Sequence, residues 1–72
     1  MVRDWLAAAR KEKGMTQLEV ANKIDVSESY YYYIESGDRQ KKMDIVLASK
    51  LSVVLGIPVA KIVEMENQKE GE

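Results

Sequence analysis

Residues Gln17 to Glu35 read QLEVANKIDVSESYYYYIE, and this stretch decides the fold. Val20, Ala21 and Ile24 fall at helical spacing, and so do Tyr31 and Ile34 further on. Only Asp25 and Val26 separate Ile24 from Ser27, a good N-cap for a new helix running to Ser36. Thr16 can cap the earlier helix, and Glu19 three residues later completes a capping-box pattern. The stretch therefore reads as two short helices joined by a tight turn. Such a pair needs a small residue where the helices cross, which Ala21 supplies. It also needs a turn residue tolerant of left-handed backbone, which Asp25 can provide less readily than glycine. Val20, Ile24, Val26, Tyr31 and Ile34 have the spacing to lock the pair together.

Working outward, Val2 to Lys13 is Ala-rich and predicts a first helix, with Val2, Leu6 and Ala9 on one stripe and Trp5 beside it. Gly14 stops it, as Gly37 stops the helix ending at Ser36. A polar, basic stretch from Asp38 to Lys42 follows. A fourth helix is expected from about Met43 to Leu55, with Met43, Leu47, Leu51, Val54 and Leu55 inward. Gly56 and Pro58 break the chain, and a short fifth helix is expected over 59–66, burying Ile62 and Val63. The expectation is an all-α fold of five helices with short joints packed as an orthogonal bundle. Residues 1–66 form one domain, and 67–72 form a polar tail in a Glu-rich end that is most simply solubilising.

Composition narrows the chemistry. The 72 residues are 46% hydrophobic, which is enough for one compact core. The absence of Cys and His removes disulfides, thiolate metal sites, zinc-finger chemistry and imidazole catalysis. No nucleophile–base pair or metal set is visible, so an enzyme is the weakest option, and neither a cofactor nor a metal is expected. No apolar run approaches the roughly 18 residues of a membrane span, and a soluble cytoplasmic protein is the default. The net charge of −1 comes from eleven Lys and Arg against twelve Asp and Glu. Residues 1–50 carry nine basic and eight acidic groups, and 51–72 carry two and four, so the acidic surplus is C-terminal.

The order of these signals resembles the Cro/XRE-type helix-turn-helix family of phage repressors and bacterial regulators. Arg10-Lys11-Glu12-Lys13-Gly14-Met15-Thr16-Gln17 is similar to the family's first-helix ending and its Thr-Gln entry to the second. Val20-Ala21 matches its Leu-Ala step, and Ile34-Glu35-Ser36-Gly37 its Ile-Glu-x-Gly closure. The resemblance spans about Leu6 to Ile62, with the helix-turn-helix itself at about 16–36. Asp25 stands where the family has a turn glycine, and the usual proline after the third helix is missing. The distance from Gly37 to the Leu55-Gly56 pair is longer than the family's, so the loop from Asp38 to Lys42 has no residue-by-residue match.

The resemblance implies a lambda-repressor-like domain that binds double-stranded DNA. At roughly 100° per residue, Ser27, Tyr30, Tyr31 and Ile34 share one side of the third helix and are expected to face the core. Glu28, Ser29, Tyr32, Tyr33 and Ser36 share the other, which is free to enter a major groove. The family's base-reading positions correspond to Ser27, Glu28, Ser29 and Tyr33, which largely agrees. Glu28 repels phosphate yet can accept from cytosine N4, or it can simply favour the helix N-terminus. Gln17, Tyr32, Ser36, Arg39, Lys41 and Lys42 are the candidates for backbone contact. Arg10 and Glu35 match positions that pair in the family, a structural ion pair tying the first helix to the third.

The expected function is a sequence-specific transcriptional regulator, in particular a repressor, in a bacterial or phage setting and nucleoid-associated. A homodimer on a palindromic operator is expected, because one recognition helix reads few base pairs. Ile57, Val59, Ile62, Val63 and Met65 offer more apolar surface than one small core needs, which places the dimer contact in the C-terminal helical region. An antitoxin-like or adaptor domain that binds protein instead of DNA is the alternative kept open by the charge balance and Glu28.

Overall fold

The computed structural model describes residues 3–37 and 43–70, with side chains through Asn67. It consists of five helices, α1 (Asp4–Glu12), α2 (Gln17–Lys23), α3 (Glu28–Ser36), α4 (Ile45–Leu55) and α5 (Val59–Glu70), with no strand among the described residues. The all-α expectation holds. The chain turns through 119° between α4 and α5, so these two helices cross steeply.

Local chemistry sets the helix starts. The Thr16 hydroxyl accepts from the Glu19 amide at 3.1 Å, and the Glu19 carboxylate accepts from the Thr16 amide at 2.8 Å, a complete capping box on α2. Ser27 accepts from the Tyr30 amide at 3.0 Å and so opens α3. Between them Asp25 takes a left-handed φ of 64°, and the Val26 amide reaches back to the Ala21 carbonyl at 2.9 Å. The helix pair therefore closes on Asp25 where a glycine would be the easier residue.

One core lies between the helices. Leu6 of α1, Val20, Ala21 and Ile24 around α2, Tyr31 and Ile34 of α3, Leu47, Ala48, Leu51 and Leu55 of α4, and Ile62 of α5 are all buried. Trp5, Ala9, Met15, Val26, Met43, Val54 and Ile57 are partly buried against them. Each large aliphatic side chain taken out of water contributes about 1.5–3 kcal/mol. Five buried residues come from the α2–α3 segment 20–34, so the helix pair is part of the core.

The structure corrects several boundaries. α4 begins at Ile45, because the Asp44 carboxylate accepts from the Leu47 amide at 2.7 Å and caps it; Met43 packs on the core from before the helix. α5 continues to Glu70, four residues past its expected end. Tyr30 does not join the core, being 40% exposed. Glu35 is buried beside Tyr31 and Ile34, which swings the inward face of α3 away from Tyr30. Val63 is also exposed, so of that expected pair Ile62 is the buried member. Val2 and the basic residues Arg39, Lys41 and Lys42 lie outside the described residues.

Candidate nucleic-acid interface

Glu35 is the residue from which the site is built. It is 6% exposed, and three side chains from three helical segments donate to it. Arg10 of α1 gives Nε to Oε2 at 2.6 Å and Nη2 to Oε1 at 3.4 Å. Gln17 of α2 gives Nε2 to Oε1 at 3.0 Å, and the Tyr31 hydroxyl donates to Oε2 at 2.8 Å. Arg10 also donates Nη1 to the Met15 carbonyl at 2.9 Å, so it spans the α1–α2 joint. Among the described residues no buried side-chain nitrogen or oxygen lacks a partner, the condition under which a buried ion pair is tolerable.

The electrostatics follow from this packing. Burial pushes the Glu35 carboxyl up, but the donors Arg10, Tyr31 and Gln17 together outweigh it and hold its pKa below the ordinary 4.5. The hydrogen bond to Glu35 raises the Arg10 guanidinium above its usual value, against the opposing effect of burial. Burial first, and then the neighbouring Glu35, raise the Tyr31 phenol, so it stays protonated and keeps donating.

This hub fixes one side of α3 and leaves the other outward. Glu28, Ser29 and Tyr32 are exposed, Tyr33 and Ser36 half-buried. Gln17, Glu28, Ser29, Tyr32 and Tyr33 line an open concavity of about 280 Å³ between α2 and α3. A second hollow of about 240 Å³ shares Gln17 and Tyr32 and adds Glu35 and Ser36. The Tyr32 and Tyr33 rings meet edge to face, with centroids 5.5 Å apart and planes at 71°. With Tyr31 turned inward, the four consecutive tyrosines do not form a stacked platform. Ser36 donates to the Tyr33 carbonyl at 3.3 Å, and Ser27 is engaged as the cap of α3.

Of the sequence-selected residues, Ser27, Glu28, Ser29, Tyr32, Tyr33 and Ser36 thus come together along α3, and Gln17 joins them from α2. Gln17 differs from expectation in that one amide hydrogen is already given to Glu35. The sequence does not foretell Arg3 or the polar roles of Trp5 and Glu66, and Glu66 is half-buried and bonded where a merely solubilising glutamate is expected. The Arg3 side chain is fully buried, with Nε and Nη2 on the two Glu66 oxygens at 2.9 and 3.1 Å and Nη1 on the Ile34 carbonyl at 2.6 Å. Trp5 donates its indole N–H to Glu66 at 3.1 Å. A faint signal existed: a cation just before α1 opposes that helix's own dipole, so a partner elsewhere was called for.

Among the described residues no helix is long and apolar enough to cross a membrane unaided, and no Asp/Glu cluster could hold a metal. The sequence profile of the helix-turn-helix family matches residues 6–62. An uncharacterised HTH-type transcriptional regulator, YqaF of Bacillus subtilis (strain 168), is 41% identical over 56 residues, covering 78% of this chain and 71% of that protein. No solved structure gives a significant match.

Proposed function

Because the chain belongs to the Cro/XRE-type helix-turn-helix family, we propose that it is a sequence-specific DNA-binding transcriptional regulator acting as a repressor. The observation that carries this reading is the polar concavity on the outward face of α3, lined by Gln17, Glu28, Ser29, Tyr32 and Tyr33. A B-form major groove about 12 Å wide admits one α-helix. In that geometry Ser27, Glu28, Ser29 and Tyr33 reach base edges from the first turns of α3, and Tyr32 and Ser36 approach the flanking sugar-phosphate. Gln17 keeps its second amide hydrogen for a phosphate or base and its carbonyl for a base donor, held in place by Glu35. Arg39, Lys41 and Lys42 supply the phosphate-neutralising charge that the net balance lacks. Arg10 acts as a strut, bracing Glu35 and the Met15 carbonyl rather than meeting DNA.

Selection of bound duplexes from a random pool tests this reading. Enrichment of a palindromic site, with half-sites about one helical turn apart, is the expected result. An unenriched pool overturns it. The net charge of −1 and the acid at Glu28 favour a second reading, a protein-binding module on the same fold. A salt titration separates the two, since phosphate contacts impose a steep log–log slope and a protein contact does not.

A further inference from the structure

A helix ends with four carbonyls that have no partner within it. In α3 these belong to Tyr33, Ile34, Glu35 and Ser36. Gly37, in a left-handed turn, gives its amide to the Tyr33 carbonyl at 2.9 Å. The next two are satisfied from outside the helix pair. Arg3 donates its backbone N–H to the Glu35 carbonyl at 2.8 Å and Nη1 to the Ile34 carbonyl at 2.6 Å. The carbonyl of the same residue accepts from the Leu6 and Ala7 amides at the start of α1. A fully buried guanidinium thus sits at the negative end of the α3 dipole, where a cation is favoured. Glu66 of α5 holds it there with both carboxylate oxygens, and Trp5 fixes that carboxylate from the side.

We propose that Arg3 and Glu66 are positioning residues for DNA reading: Glu66 holds Arg3 as a cap on the last turn of α3, so that α5 sets the pose of the recognition helix. The inference rests on α3 being the element that meets DNA. Both residues lie outside the segment 6–62 matched by the family. The physical logic is one of tolerance. Base contacts depend on side-chain placement, whereas phosphate contacts are sequence-independent and forgiving. An α3 whose last turn can loosen keeps its affinity for random duplex and loses its preference for the operator.

The test uses Arg3→Lys, which keeps the charge but loses the fork, and Glu66→Gln, which keeps one acceptor oxygen. Glu64→Gln is the control, because among the described residues Glu64 pairs with Lys61 at the surface. Affinities for the selected operator and for a random duplex of equal length are measured where circular dichroism shows each variant fully folded. Amide hydrogen exchange is followed residue by residue in the same samples. The expected result is an operator-to-random ratio lowered about tenfold in Arg3→Lys and less in Glu66→Gln, with Glu64→Gln unchanged. Exchange should quicken at the Glu35 and Ser36 amides while that at Leu51 holds. An unchanged ratio in a folded Arg3→Lys overturns the proposal, and so does exchange that quickens equally in every helix.

If the wild-type chain does not discriminate between duplexes, it is the DNA reading that fails. The exchange pattern then still decides whether Arg3 caps α3. Should Arg3→Lys not fold, Trp5→Phe removes one donor to Glu66 while keeping an aromatic ring, and carries the same two measurements.

Discussion

Glu35 concentrates more of the molecule's electrostatics than any other described side chain, and it makes stability depend on pH at both extremes. Its folded pKa is depressed, so the unfolded chain binds the proton more readily. Its stabilisation is complete above about 4.5 and is lost as pH falls below that. Tyr31 works in the opposite sense. Its folded pKa is raised, so its stabilisation is complete below 10.0 and is lost as pH rises beyond it. Tyr31→Phe should cost about 1.5–3 kcal/mol at neutral pH, as for a hydrogen bond to a charged group. It should also abolish the share of the alkaline decline that Tyr31 causes. Urea unfolding across the pH range checks this, and parallel curves for variant and wild type would contradict it. Asp25 is the other residue whose geometry predicts a measurable effect. At φ 64° a β-branched side chain is strained, so Asp25→Val should destabilise by about 1–2 kcal/mol. Asp25→Gly should be the more stable of the two in the same assay.

At the scale of elements, if the outward face of α3 reads DNA as proposed, its two faces divide between structure and recognition, and substitutions should divide likewise. Ser29→Ala and Tyr33→Ala should each weaken operator binding by about 1–3 kcal/mol per lost base contact, with little loss of fold. Unchanged operator affinity in both folded variants would remove them from the reading set. The helices themselves were legible because their signals are local. Thr16 and Glu19, or Ser27 and the Tyr30 amide, lie three residues apart, and Gly37 adjoins the helix it ends. The facing of α3 was legible only in part. Counting Ile34 and Tyr31 as its inward pair fixes the axis loosely. Burial of the charged Glu35 depends on donors 18 and 25 residues away, and it turns Tyr30 outward. At α4, Met43 is apolar and fits the helical stripe, but Asp44 caps and so excludes it. Arg3 and Glu66 left almost no local trace, since each is explained only by the other.

For the whole molecule, the apolar surface expected for dimerisation is smaller on α5 than its composition suggests. Ile62 is in the core, and Ile57, Val59 and Met65 are half-buried, leaving Val63 as the exposed large aliphatic of α5 among the described residues. On α4, Ile45, Val46 and Val53 are 65%, 60% and 83% exposed. We retain a homodimer through the C-terminal helical region as a proposal, on the argument that one recognition helix reads too few base pairs alone. Sedimentation with a palindromic duplex should show two chains per site, and Val63→Asp should reduce that to one at the same concentration. One wild-type chain per palindrome at saturation would end the dimer proposal.

The Arg3–Glu66 pair also has a kinetic consequence. Its partners are 63 residues apart in sequence, whereas the α2–α3 unit is closed by contacts within a few residues of its turn. Loop-closure entropy must be met before such a distant contact forms, so the pair is expected to assemble after the rate-limiting barrier. A contact absent from the transition state acts on the rate of unfolding and leaves the rate of folding alone. In stopped-flow chevrons, Glu66→Gln should therefore raise the unfolding limb and leave the folding limb in place, a φ-value near zero. A slowed folding limb would put the pair in the nucleus instead. With a late contact, the buried arginine governs how long the native state lasts once formed, and the time taken to reach it is set by the helices between.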